Sequence, residues 1–181
     1  GIKIFAGTGY KLPDEVENKI EAYIDNQCAG LKLATGDEVG RVTCRTDGIK
    51  DYTDHLYESI NGDLSGLNIC IDCANGASAA VARQLFPRMG AKCTFIGVEP
   101  DGKNINAGVG STHLDNLEKA VVEGGFDCGI AFDGDADRCL ACDEKGQEID
   151  GDKIIALLAM NMKEKGCLDG NTAVVTVMSN L

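Results

Sequence analysis

The fold of this 181-residue chain is decided by the stretch Cys128-Gly129-Ile130-Ala131-Phe132, Asp133-Gly134-Asp135-Ala136-Asp137 and Arg138-Cys139-Leu140-Ala141-Cys142. Short apolar runs lie on both sides of a segment that holds three carboxylates in five residues. Such runs, bounded by turn residues, predict buried strands, and the acidic segment is therefore predicted to be a loop that joins two of them. In α/β sheets ligands bind outside the carboxyl ends of strands, and Phe132 is predicted to be such an end.

The acidic loop, defined as residues 133–138, has a composition that favours a bound cation. Carboxylates this close repel one another, so a folded protein seldom gathers three of them without a positive partner. A straight strand would place Asp133 and Asp137 roughly 13 Å apart, which is too far for one Mg²⁺ with bonds of about 2.0–2.1 Å. If Asp133, Asp135 and Asp137 share an ion, the segment must therefore curl, and Gly134 and Ala136 are small enough to allow that.

Two other interpretations of the acidic loop remain open at this point. The first is a solvated acidic turn that binds no metal. The second is a calcium loop, because counting Asp133 as position 1 puts Glu144 at position 12, as in an EF-hand. Against calcium, position 6 is Arg138 where that motif needs glycine, and the predicted flanks are strands rather than helices.

Away from the acidic loop, strands and helices alternate regularly. Apolar periodicity predicts strand 1–5, helix 13–28, a linker at 35–45, helix 52–60, strand 67–72, helix 77–89, strand 92–97, helix 114–123, helix 152–165 and strand 172–178. Strands that alternate with helices of ten or more residues indicate βαβ units. The predicted fold class is therefore α/β, with a mixed, mostly parallel sheet flanked by helices.

Composition limits the classes of partner. The formal net charge is −12, from 29 acidic and 17 basic residues, which argues against nucleic acid and anionic membranes as partners. The longest uninterrupted apolar run, 154–160, is far too short to span a bilayer. An anionic substrate would need local help from a metal or from a few well-placed cations.

The nine cysteines include two Cys-x-x-Cys pairs, Cys70/Cys73 and Cys139/Cys142, a spacing that suggests zinc. Both pairs fall in predicted strands, where side chains three residues apart point to opposite faces of the sheet. Neither pair can then chelate an ion easily, and an odd cysteine count fits no complete disulfide framework. We expect reduced, mostly buried thiols in a cytoplasmic protein.

Two glycine-containing loops are weaker candidate sites. The segment 72–77, Asp-Cys-Ala-Asn-Gly-Ala, leaves a strand and enters a helix, where backbone amides can hold a phosphate, although Asn75 and Gly76 could simply form the turn. The segment 108–113 runs into the next helix, with Thr112 and Asp115 as a capping-box-like pair. His113 at this helix start is expected to be structural.

Together these stretches resemble the α-D-phosphohexomutase superfamily, and most closely its phosphoglucosamine mutase branch. Asp-Gly-Asp-Ala-Asp-Arg at 133–138 is similar to the superfamily's metal-binding loop. Segments 72–77, 99–106 and 110–113 resemble the branch's second domain, 176–181 the entry into its third domain, and 1–3 the segment after the catalytic serine loop of its first. The resemblance thus implies three parts: residues 1–44 from the first domain and a linker, 45–171 as the second domain, and 172–181 as the first strand of the third.

The resemblance also implies a chemistry. Members are isomerases in which a phosphoserine donates its phosphoryl group to a phosphosugar, and the bisphosphorylated sugar then returns its other phosphate to the serine. In this branch, glucosamine 6-phosphate and glucosamine 1-phosphate interconvert. Carried over by position, Asp133, Asp135 and Asp137 would bind Mg²⁺, Arg138 would lie beside the transferring phosphate, and Lys3 would assist deprotonation of the sugar hydroxyl.

The sequence departs from the family pattern in one large respect. No Ser-His-Asn-Pro-type loop occurs in the 181 residues, and neither do the family's sugar-reading and phosphate-binding loops. The chain is therefore expected to be a fragment that does not turn over alone. The alternatives are a phosphomannomutase or phosphoglucomutase of the same superfamily, and a divalent-metal-binding module without catalysis.

Overall fold

The structure is a computed structural model that describes residues 4–60 and 62–179. The chain divides into two compact units, residues 1–45 and 46–181, and each is described by itself. No helix in the described ranges combines the length and the apolar content needed to cross a membrane.

The first unit is built around one helix. Phe5 and Lys11 form an isolated antiparallel bridge, and helix α1, Asp14–Asp25, follows Pro13. Proline suits this position because its fixed φ matches the helix and its missing N–H is not needed there. Acidic residues in the first turn stabilise the helix, because they interact favourably with the positive end of its dipole. The predicted helix 13–28 is confirmed but ends three residues earlier, whereas most of the predicted strand 1–5 lies outside the described residues.

The second unit contains a five-stranded mixed sheet. Its strands are β1 (Asn68–Asp72), β2 (Lys92–Ile96), β3 (Cys128–Phe132), β4 (Cys139–Asp143) and β5 (Glu148–Ile149), in the order β2-β1-β3-β4-β5. Strand β1 pairs in parallel with β2 and β3, and β4 pairs antiparallel with β3 and β5. The carboxyl ends of β1, β2 and β3 therefore meet at one edge of the sheet, and the α/β fold with a mixed sheet is confirmed.

Helices cover both faces of this sheet. Helix α3 (Ser78–Arg88) lies on one face and α4 (Asp115–Gly124) on the other, whereas α2 (Gly48–Ser59) packs against α3, and α5 (Gly151–Glu164) has no buried residue. One core joins α3 to β1 through Ile69, Ile71, Cys73, Ala79 and Ala82. The other joins α4 to the opposite face through Cys70, Leu117, Val121, Ala131 and Cys142. Alternation along the strands explains this division, since successive side chains point to opposite faces.

The strand predicted over 172–178, the proposed first strand of a third domain, is wrong as an element of this structure. Residues 172–179 adopt no strand, and Val174, Val177 and Met178 are exposed. An apolar run becomes a strand only when another strand satisfies its backbone hydrogen bonds. The assignment of these residues to a third domain, like the other domain boundaries, stays a prediction.

The cysteines confirm the strand argument against a shared zinc site at Cys70 and Cys73, but the expectation of mostly buried thiols is wrong, since three of the nine are buried and four are exposed. Cys70 and Cys73 lie in the cores on opposite faces of the sheet, so they cannot share an ion. All nine cysteines are free thiols. Burial raises the pKa of the Cys70 and Cys142 thiols to about 11, so both stay neutral and unreactive at neutral pH.

Thiol labelling tests this placement. At pH 8, we expect iodoacetamide to modify the exposed Cys28, Cys44 and Cys167 readily, because they are accessible. Cys70 and Cys142 should react only after denaturation, since the thiolate is the nucleophile and burial disfavours it. Peptide mass spectrometry reads each site, and rapid native labelling of Cys70 or Cys142 would contradict the described core.

Candidate metal centre

The acidic loop lies at the edge of the sheet where the parallel strands end. It forms the six-residue connection between β3 and β4, whose end residues Phe132 and Cys139 are paired. The prediction that it joins two strands at a carboxyl end is confirmed. Its position is the one at which α/β sheets place their ligands.

The loop curls, as a shared cation would require. Ala136 adopts a left-handed conformation with φ 60°, and its N–H donates to the carbonyl oxygen of Asp133 at 3.1 Å. At the base of the loop, the backbone N–H of Arg138 donates to Oδ1 of Asp133 at 3.1 Å. An alanine in this conformation costs on the order of 1 kcal/mol. Strain of this kind persists only where the surroundings impose it, and it clusters at functional sites.

The curl brings the three carboxylates together. One oxygen from each of Asp133, Asp135 and Asp137 lies within 4.8 Å of the others. Two oxygens bound to the same Mg²⁺ at about 2.1 Å lie about 3.0 Å apart in adjacent positions and about 4.2 Å apart in opposite positions, so the three carboxylates would draw closer together to share one ion. Asp133 is buried, whereas Asp135 and Asp137 are exposed. The residues present therefore fit a small, hard cation approached from the solvent side.

The calcium interpretation does not fit this geometry. Glu144, the position that an EF-hand would use as its last ligand, lies in the turn after β4. A five-residue strand spans roughly 16 Å, so Glu144 is at the opposite end of β4 from the loop. It cannot join the three aspartates around one ion.

Arg138 closes the loop at its strand end. Its Nε lies 3.9 Å from Oδ2 of Asp133, and 73% of its side chain is exposed. The guanidinium is therefore mostly exposed to solvent beside the most buried of the three carboxylates. Lys3, the other predicted catalytic residue, lies outside the described residues.

Two neighbouring backbone segments hold the acidic loop in place. The N–H of Ala77 donates to the carbonyl of Gly134 at 2.9 Å, and the N–H of Ser111 donates to the carbonyl of Phe132 at 3.0 Å. Gly76 allows this approach, since a Cβ there would lie 2.7 Å from the Cα of Gly134. These contacts join the segments 72–77 and 108–113 to the predicted metal loop.

The segment 72–77 is therefore a support and not a phosphate cradle. The backbone N–H groups of residues 73–77 all donate within the protein, for example from Cys73 to Ile96 and from Gly76 to Cys73. No amide in this run is left to bind an anion. The structure favours the alternative in which Asn75 and Gly76 form the turn.

The capping-box prediction for the next helix is wrong. Helix α4 begins at Asp115 after Leu114, without a side-chain cap. His113 is exposed at this helix start. Sequence reasoning also missed Asp72, a fully buried carboxylate at the end of β1. An acidic residue closing an apolar run, just before an Asn-Gly turn, was the available signal.

Comparison with known proteins identifies the fold's relatives. Residues 50–146, more than half of the chain, match the family model described as phosphoglucomutase/phosphomannomutase, alpha/beta/alpha domain II. A solved structure of a phosphoglucomutase/phosphomannomutase family protein from Burkholderia thailandensis superimposes with a TM-score of 0.60. That likeness covers 85% of this chain and 32% of the other at 22% identity, so it shows the fold alone.

Curated relatives align over the whole chain. Proteins named phosphoglucosamine mutase are 51% identical in Clostridium tetani, 53% in Leifsonia xyli subsp. xyli and 52% in Thermobifida fusca. Each alignment covers 100% of this chain and 39–40% of the relative, so the chain spans about two fifths of the relatives' length. With the domain II match and the acidic loop at the expected edge of its sheet, the chain belongs to the phosphoglucomutase/phosphomannomutase family.

Proposed function

We propose that the chain is the metal-binding second domain, with flanking segments, of a phosphoglucosamine mutase. The parent protein would interconvert glucosamine 6-phosphate and glucosamine 1-phosphate. One observation carries the proposal: three aspartates brought within 4.8 Å of one another. The identity of 51–53% to proteins named phosphoglucosamine mutase supports the choice of branch.

Asp133, Asp135 and Asp137 would hold Mg²⁺, which supplies positive charge to the oxygens of a moving phosphoryl group. The division of burial suits this task. Asp133 is fixed by the backbone N–H of Arg138, while the exposed Asp135 and Asp137 leave the outer side open to a phosphate. Mg²⁺ would therefore be held by carboxylates on the protein side and would leave its solvent side to a phosphate.

Arg138 would orient the phosphate that is transferred. Its planar group offers two parallel donors that match two phosphate oxygens, so it suits phosphate binding better than proton transfer. Lys3 is proposed, from the family resemblance, to take the proton of the attacking sugar hydroxyl. The phosphoserine that donates the phosphoryl group must come from outside these 181 residues, since the sequence holds no Ser-His-Asn-Pro-type loop.

Substrate preference of the full-length parent tests the proposed branch. We expect mutase activity on glucosamine 1-phosphate to exceed that on glucose 1-phosphate clearly, measured by coupled product formation at equal substrate concentrations. The 181-residue chain alone serves as the control and should give no turnover. Equal or reversed preference would assign the parent to the phosphomannomutase or phosphoglucomutase activity that its family description also covers. Turnover by the chain alone would contradict its dependence on an external phosphoserine.

A further inference from the structure

We infer that Asp72 is a positioning residue for the acidic loop, because its buried carboxylate ties together the two backbone segments on which that loop rests. The inference depends on the proposed metal site at Asp133, Asp135 and Asp137. Asp72 would touch neither metal nor substrate, and would act through the backbone.

The carboxylate of Asp72 is fully buried at the carboxyl end of β1. Its Oδ1 accepts a hydrogen bond from the N–H of Ala74 at 2.8 Å. Its Oδ2 accepts one from the N–H of Gly110 at 2.8 Å. One side chain thus joins two segments that are 36 residues apart in sequence, and it uses both oxygens to do so.

Each of these segments in turn holds the acidic loop. Segment 72–77 donates from Ala77 to Gly134 within the loop, and segment 108–113 donates from Ser111 to Phe132, the last residue of β3, from which the loop starts. A further contact supports segment 72–77, since the N–H of Asn106 donates to the carbonyl oxygen of Ala74 at 3.0 Å. The loop that would bind metal therefore rests on a framework whose central link is the Asp72 carboxylate.

The backbone packs closely around this link, and glycine is required at position 110. A Cβ at Gly110 would lie 2.6 Å from both the Cβ of Ala74 and the carbonyl oxygen of Phe132. Burying a carboxylate is unfavourable unless its oxygens accept hydrogen bonds, whereas an apolar side chain would fill the same core without that cost. A carboxylate in this place is explained by the two N–H groups that it holds.

The experiment compares Asp72→Asn with wild type in the full-length parent. Asparagine keeps the shape, but its amide offers one acceptor oxygen in place of two, so one of the two N–H groups loses its partner. Partners outside the ligand shell typically change metal affinity by about 10- to 100-fold. We expect Mg²⁺ affinity, measured by titration calorimetry, to fall about 10-fold, with Asp135→Asn defining the heat that belongs to the acidic loop.

The control is Val121→Ala, which makes a cavity in the α4 core, where Val121 is fully buried. Urea unfolding of both variants measures how much stability each loses. The inference expects the control to keep wild-type Mg²⁺ affinity. Equal affinity in Asp72→Asn and wild type, or an equal loss in both variants, would overturn it. If wild type binds no Mg²⁺ at the loop, the proposed metal site fails, and the inference with it.

A second measurement does not require the variant to fold. Coupling between two sites is reciprocal, so Mg²⁺ bound at the loop should stabilise the bonds that Asp72 makes. In the wild-type parent, amide hydrogen exchange of the peptides containing Ala74 and Gly110 should slow on addition of Mg²⁺. The Asp135→Asn parent should show no such slowing. Unchanged exchange in wild type at saturating Mg²⁺ would contradict the inference.

Discussion

Replacement of Asp135 by asparagine in the full-length parent is expected to lower mutase turnover by on the order of 100-fold or more. Loss of one electrostatic contribution to transition-state stabilisation typically lowers turnover by about 100- to 1,000-fold, and Asp135 would contribute through the cation that it helps to hold. Asp135 lies in the curled part of the loop, with a carboxylate oxygen within 4.8 Å of those of Asp133 and Asp137. Removal of its charge would weaken the cation site while leaving the buried Asp133 in place.

Glu144→Gln is the matched control for this change. It also removes one exposed carboxylate, 62% accessible, but at the opposite end of β4. We expect the control to retain turnover and Mg²⁺ affinity. Full activity of Asp135→Asn would mean that the acidic loop is a solvated turn, and equal losses in both variants would show a general effect of charge.

Replacement of Gly76 by alanine is expected to displace the acidic loop at Gly134, where segment 72–77 contacts it. The added Cβ would lie 2.7 Å from the Cα and 2.8 Å from the carbonyl carbon of Gly134. Both are backbone atoms, so the clash cannot be relieved by rotation of a side chain. Such overpacking costs about 1–3 kcal/mol, and the displaced loop should lose Mg²⁺ affinity as well as stability.

Thermal unfolding and Mg²⁺ titration of the Gly76→Ala parent measure these two effects. The control is Gly48→Ala at the first position of α2, where a Cβ would meet nothing within 4 Å. We expect that variant to be as stable as wild type or slightly more stable, since alanine restricts the unfolded chain. Unchanged Mg²⁺ affinity in Gly76→Ala would show that segment 72–77 does not support the loop.

The acidic loop was predictable because its chemistry is local. Three like charges in five residues require either solvent or a cation. If the three aspartates share one ion, the distance along a straight strand requires a curl, and the structure has one at Ala136. The flanking strands were predictable for a similar reason, since a short apolar run between turn residues is a local pattern that favours a buried strand. The role of Arg138 came from the family resemblance and stays a prediction.

The supporting framework was not predictable, because it depends on contacts distant in sequence. Asp72 bonds to Gly110, 38 residues away, and no local pattern signals that pairing. The two-residue strand β5 was missed because it is too short to show a period. The run 172–178 is predicted to be a strand from its apolar pattern, whereas a strand forms only if a partner supplies its hydrogen bonds.

The measurement that tests the proposed metal centre most directly is anomalous diffraction from the full-length parent crystallised with Mn²⁺ in place of Mg²⁺. The proposal predicts one anomalous peak about 2 Å from carboxylate oxygens of Asp133, Asp135 and Asp137. A saturated crystal with no peak at the acidic loop, or with its peak elsewhere in the protein, would contradict the metal centre and the function built on it.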